Sequence, residues 1–102
     1  MYKIEVTDHA EQDLDHIIAY ITEKLVAPVA ASDFVDAVFE CYEYLEDNPY
    51  LYEQCHDARL RNEGYRRAVI KNYVLVYKVN EEKKIVTAHR FFYGRQDYVN
   101  LI

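Results

Sequence analysis

Glycine and proline are scarce, two of each in 102 residues, which leaves no stretch of linker composition and no glycine-rich loop able to cradle a phosphate. One domain over residues 1–102 is the expectation, because that length is close to the modal domain size. Cysteine is equally sparse. Cys41 and Cys55 form no C-x-x-C arrangement and are expected as two reduced thiols. No apolar run approaches the ~20 residues of a membrane span. The opening MYKIEVTDHAEQDLDHI carries acids where an export signal needs a basic stretch and then an apolar one. A cytoplasmic protein without membrane contact is therefore expected. His9, His16 and His56 lack metal-ligand spacing and no nucleophile elbow occurs, so no metal and no other cofactor is expected.

Apolar and aromatic residues are plentiful instead. A hydrophobic share of 51%, with eleven Tyr and four Phe, is enough for a packed core. The net charge of −6 conceals an asymmetry. Residues 1–58 hold fourteen Asp or Glu against Lys3 and Lys24, a net of −12, whereas residues 59–102 hold ten Lys or Arg against four acids, a net of +6. If the halves form different faces, one face is a positive patch able to attract phosphate or an acidic partner.

Hydrophobic period orders the chain. Tyr2, Ile4 and Val6 alternate with Lys3 and Glu5, predicting a short strand. Thr7 or Asp8 then caps a helix whose stripe is Ala10, Leu14, Ile17, Ile18 and Ile21, running to about Lys24. Pro28 precedes a second helix carrying Ala31, Phe34, Val35, Val38, Tyr42 and Leu45, ended by Asn48-Pro49. Residues 50–64 have no period and read as a loop. Three β-branched and aromatic runs follow, Tyr65–Lys71, Tyr73–Val79 and Ile85–Tyr93, predicting an antiparallel meander. In the middle run Tyr73, Leu75, Tyr77 and Val79 share one face and Val74 and Val76 the other, so that strand is expected to be central. The fold class is α+β in the order β-α-α-β-β-β: a small antiparallel sheet with a helical hairpin on one face and the other face open.

These residues carry a resemblance. Ala10, Asp13-Leu14, Ile17 and Tyr20; Pro28, Ala31, Phe34, Val38, Leu45 and Pro49; Tyr65-Arg66, Tyr73, Tyr77 and Val79; and the ending Arg90-Phe91-Phe92-Tyr93-Gly94-Arg95-Gln96-Asp97 together resemble the RelE/ParE family of type II toxin–antitoxin toxins over nearly the whole chain. Tyr93 stands where His is common in that family and Gln96 where a second Arg is common. The resemblance implies a growth-inhibiting toxin held by a cognate antitoxin. The action expected from it is ribosome-dependent cleavage of messenger RNA, as a metal-independent endoribonuclease, with inhibition of DNA gyrase by binding as the alternative. An inactive relative that only binds its antitoxin is the third possibility.

Metal-free RNA cleavage needs a base for the 2′-OH, a cation for the crowded phosphate and an acid for the leaving oxygen. The resemblance puts Arg66 and Arg95 forward as the catalytic cations, a role that suits a fork which donates bidentately and stays charged. Tyr93 and Tyr98 are candidate proton donors or stacking platforms. Packing explains them equally, as pairing of Arg66 across the sheet and of Arg95 with Asp97 would explain the arginines. Arg59, Arg61, Arg67 and Lys71 extend a candidate surface for RNA or a partner. Strict alternation places His89 and Arg90 on opposite faces, so only one of them faces the target, and the resemblance favours Arg90. Convergence of Arg66, Arg95 and a tyrosine on one phosphate-sized spot would favour the nuclease, whereas an inhibitor needs no catalytic set.

Overall fold

The computed structural model describes residues 1–102. Its elements are β1 (Lys3–Val6), α1 (Asp8–Ala19), a π-helical turn (Tyr20–Lys24), α2 (Pro28–Asp47), α3 (Ala58–Asn62), β2 (Tyr65–Ile70), β3 (Tyr73–Asn80), β4 (Ile85–Tyr93) and a short 3-10 turn (Val99–Leu101). Thr7 starts α1 as the sequence suggests: its Oγ1 accepts from the Ala10 N–H at 3.0 Å and donates to the His89 carbonyl at 2.8 Å. One hydroxyl thus caps a helix and ties it to the last strand. The helix reaches Lys24, but its final turn widens, with the Leu25 N–H bonding the Tyr20 carbonyl at 3.1 Å. Pro28 opens α2, where the missing N–H costs nothing. Ala31, Phe34, Val38, Cys41 and Leu45 then form its buried stripe.

The sheet order is β1-β4-β3-β2. β2, β3 and β4 form the expected antiparallel meander, while β1 lies parallel to β4 from Lys3 opposite Ile85 to Val6 opposite Ala88, so the sheet is mixed rather than wholly antiparallel. Between β3 and β4 the register shifts: Tyr77 faces Ala88 and Val76 faces Arg90, leaving His89 as an extra residue in a β-bulge.

Beneath α1 and α2, Ala68, Ile70, Leu75, Tyr77, Val86, Ala88 and Phe91 complete the main core. The opposite face is not open. Val74, Val76 and Phe92 point there with Cys55 and Leu60, and Tyr65, Tyr98, Val99 and Ile102 pack over them. Leaving three large apolar side chains wet would forfeit about 1.5–3 kcal/mol each, so the chain covers them with its own α3 and tail. Residues 50–64 accordingly contain a helix, α3, capped by Asp57, whose carboxylate accepts from the Leu60 N–H at 3.1 Å. Cys41 and Cys55 are free, buried and in different clusters on the two sides of the sheet. Burial pushes the Cys41 thiol up to about 11. No helix is long and apolar enough to cross a membrane.

Candidate functional site

The connection from β2 to β3 has only two residues, Lys71 and Asn72, and Lys71 takes φ 56°. Just beyond β4, the Gly94 N–H donates to the Asn72 carbonyl at 2.8 Å. A side chain at Gly94 would bring a Cβ to 3.1 Å from that carbonyl, tighter than most such contacts, so glycine lets the tail lie directly on the turn. Tyr93 and Arg95 are thereby delivered beside Lys71. Arg67, two residues after the start of β2, points to the same side, and a cleft of about 370 Å³ forms between Arg67, Lys71, Arg95, Tyr73 and Tyr93. Arg67 is mostly covered and pairs with Glu53 at 2.9 Å. Its Nε is buried and bonded to nothing. Lys71 and Arg95 make no ion pair within the chain.

Arg66 is elsewhere. Alternation turns it to the helical side of β2, where its Nη1 donates to the Tyr52 carbonyl at 2.7 Å and its guanidinium lies 4.9 Å from the Tyr50 ring centre. It stands opposite Tyr77, four residues along β3 from the turn that carries the cleft, or about 13 Å at the usual strand rise. Arg66 and Arg95 therefore occupy different faces and different ends of the sheet. The cations that do meet Arg95 and Tyr93 are Lys71 and Arg67, which sequence reading had placed only in the surrounding surface. Tyr98 stacks on Phe92 with ring centres 5.1 Å apart, and Arg59 donates to the carbonyls of Val99 and Ile102 at 2.6 and 3.1 Å. Both hold the tail down. Arg61 bonds the His56 carbonyl at 3.2 Å on the surface.

The bulge changes the expectation for His89 and Arg90. An inserted residue suspends strict alternation, and both side chains line one cavity of about 380 Å³ with Thr7, Asp8, His9, Tyr65, Leu101 and Ile102. Arg90 is committed there to a bidentate pair with Asp13, Nε to Oδ2 at 2.7 Å and Nη2 to Oδ1 at 3.1 Å. Burial first, and Lys78 second, hold the His89 imidazole below its ordinary value near 6.5, so its proton is bound less readily in the fold. An unfolded imidazole binds its proton at the ordinary value. The protein is therefore expected to lose stability as acidification passes about pH 6.5, and His89→Gln to flatten that slope. Urea midpoints at about pH 7.5 and about pH 5.5 measure it, and parallel losses in the two proteins would refute the assignment.

The largest cleft, about 550 Å³, adjoins the cationic one and shares Asn72, Tyr73 and Tyr93 with it. His16, Ile17, Tyr20 and Leu25 supply its far wall, the last two from the π-helical turn and its end. The sequence marks Ile17 and Tyr20 only as helix positions of the family resemblance and assigns none of the four to a site, since His16 and Tyr20 look like ordinary helix residues until the widened turn is seen. Tyr73 and Tyr93 meet edge to face at 5.8 Å between the two clefts. The combined surface offers cations on one side of an aromatic partition and an apolar trough on the other. The cationic cleft contains no Asp, Glu or His to serve as a base. Such a surface is suited to binding an anionic group together with an apolar one.

Residues 4–98 match the model of a family described as the ParE toxin of type II toxin–antitoxin systems, parDE. None of the curated proteins compared with the chain matches it. Among solved structures, the chromosomal ParDE toxin–antitoxin system of P. aeruginosa is similar, with TM-score 0.70 and 18% identity over 91% of this chain and 96% of the other. The RelBE2 toxin–antitoxin complex of Mycobacterium tuberculosis aligns with TM-score 0.62 and 19% identity over 90% and 96%. YafQ of E. coli aligns with TM-score 0.57 and 17% identity over 91% and 93%. At these identities the three structures speak for a shared fold.

Proposed function

Because the chain belongs to the ParE toxin family of type II toxin–antitoxin systems, we propose that this toxin stops growth by binding its target, as an inhibitor of DNA gyrase, and not by cutting RNA. The observation that carries the reading is the separation of Arg66 from Arg95. A phosphodiester in the cleft of Arg67, Lys71 and Arg95 would meet cations and the Tyr93 phenol, but no group in that cleft is ready to take a 2′-OH proton near neutral pH. Arg66 is spent on the Tyr52 carbonyl and Arg90 on Asp13. Binding requires none of these to act as acid or base. It needs only the charged and aromatic surface around Lys71, Tyr93 and Arg95, to which a target can be steered from solution. A cognate antitoxin is the partner that holds such a toxin in check.

The test is inducible expression in bacteria without antitoxin, following plasmid supercoiling and messenger RNA ends in the same cells. Growth arrest with altered supercoiling and intact messages is expected, and the double substitution of Lys71→Ala with Arg95→Ala should relieve it while leaving the protein folded. New cuts inside translated messages, lost in Arg95→Ala, would replace this reading with the ribosome-dependent nuclease. Normal growth despite soluble protein would identify a relative that only binds its antitoxin.

A further inference from the structure

One stretch of the β2 edge is left unpaired by the chain itself. Along β2 the outward groups belong to alternate residues: the Arg67 N–H donates to the Glu53 carbonyl at 3.0 Å, and the Tyr65 carbonyl accepts from the Cys55 N–H at 3.0 Å. Residues 53–55 thus act as a half-length fifth strand, with Gln54 opposite Arg66. Beyond Glu53 the loop leaves the edge. The same alternation turns the N–H and C=O of Val69 outward, where no backbone group of this chain meets them, and the Val69 side chain is 60% exposed. On the free part of β4, by contrast, the Phe91 N–H is taken by Asp13 at 3.0 Å. A short unpaired edge bearing an exposed β-branched residue is a template for another strand.

Two different clefts flank this edge. On the face to which Val69 points lies the cationic cleft of Arg67, Lys71 and Arg95. On the helical face, Val69 and Ile70 border a hollow whose lining joins Ala37, Cys41, Tyr44 and Tyr52 to the charged Glu40 and Lys71. In a segment added to β2, the residue opposite Val69 would project to the cationic face, and those opposite Ala68 and Ile70 to the helical face, beside Ala37, Tyr44 and Tyr52. The chain already shows the first step of this pattern, since Glu53, opposite Arg67, puts its carboxylate on the Arg67 guanidinium at 2.9 Å. From this geometry we infer that the Ala68–Lys71 edge of β2 is a docking site for an extended segment in which apolar and acidic residues alternate. A partner strand would continue in line with residues 53–55 and set an acid between Lys71 and Arg95. A second copy of this chain is a poor occupant, because β2 paired with itself would crowd the Arg67, Lys71 and Arg95 of both copies. The site rests on the reading that the Lys71–Arg95 cleft engages the toxin's target: an antitoxin segment lying along β2 would shut it.

The probes are two synthetic peptides of equal composition, one alternating valine and glutamate and one with the valines and glutamates in separate blocks. Titration followed by amide hydrogen exchange is expected to show protection of the Val69 N–H by the alternating peptide. That peptide should bind at least about tenfold more tightly than the blocked one, and less tightly as salt is raised. Proline is tolerated on an edge strand whose N–H faces outward, so Val69→Pro should fold and lose about tenfold in affinity. Lys71→Ala with Arg95→Ala should remove most of the salt dependence. Equal binding of the two peptides, or an unprotected Val69 in the native protein, overturns the proposal without recourse to any variant. Protection that rises with protein concentration alone would assign the edge to a second copy. Displacement of the peptide by a short single-stranded DNA, with Val69 still exchanging, would assign the cleft to nucleic acid. Peptide binding is read in vitro and growth arrest in cells, so failure of the docking site and failure of the toxin reading are separate results.

Discussion

Tyr77→Ala is expected to cost about 3–5 kcal/mol, enough to leave a chain of this size largely unfolded. Tyr77 is fully buried at the middle of β3, where its ring meets Tyr52 edge to face at 6.5 Å. Its hydroxyl donates to the Pro49 carbonyl at 2.7 Å. Truncation would remove the largest fully buried side chain of the core and detach the loop that follows α2. Tyr77→Phe separates the two contributions. It keeps the ring and leaves only the Pro49 carbonyl without its donor, a loss of about 1–2 kcal/mol. Burial pushes the phenol far above its ordinary range, so it remains a donor through neutral and mildly alkaline pH and the difference between the variants should not change there. Urea unfolding of the three proteins measures both steps. Equal losses for Ala and Phe would mean that the hydrogen bond, and not the ring, holds this part of the core.

Asp13→Ala is expected to cost about 2–4 kcal/mol and to make the protein prone to self-association. One carboxylate there accepts from Arg90 Nε, Arg90 Nη2 and the Phe91 N–H. Its removal strands a partly covered guanidinium and bares the edge of β4 where β1 has ended. Asp13→Asn would retain an acceptor for Phe91 while giving up the charge, and should lie between the wild type and Ala. Denaturant midpoints give the stability change and light scattering gives the association. A stable Asp13→Ala protein that stays monomeric would show that the β4 edge is guarded by something else.

Much of this architecture can be read from the residues. The stripe of Ala31, Phe34, Val38 and Leu45 and the two-sided pattern of Tyr73–Val79 each obey one period over several turns or pleats, and local sequence determines them. The site is less legible, because its geometry comes from departures from period. The extra residue at His89 turns both it and Arg90 into one cavity, and no composition marks the position. Arg66 and Arg67 are neighbours of identical chemistry that alternation sends to opposite faces. Which of them meets Arg95 depends on where the tail crosses, and that is decided by the approach of Gly94 to Asn72. The ARLRN stretch of α3 is too short to display a helical stripe, so the cover over Val74, Val76 and Phe92 could not be foreseen.

The parallel pairing of β1 with β4 bears on the order in which the molecule is made. Lys3–Val6 are made long before their only strand partners, Ile85–Ala88. Asp13 and Thr7 likewise await Phe91 and His89. Contacts of such sequence separation raise the entropy cost of closure and slow folding, so the N-terminal strand and the first helix should dock last. A nascent chain interrupted anywhere before β4 has neither a closed sheet nor Tyr93 and Arg95 in place. The surface of Lys71, Tyr93 and Arg95 is therefore assembled only once the last strand has been made.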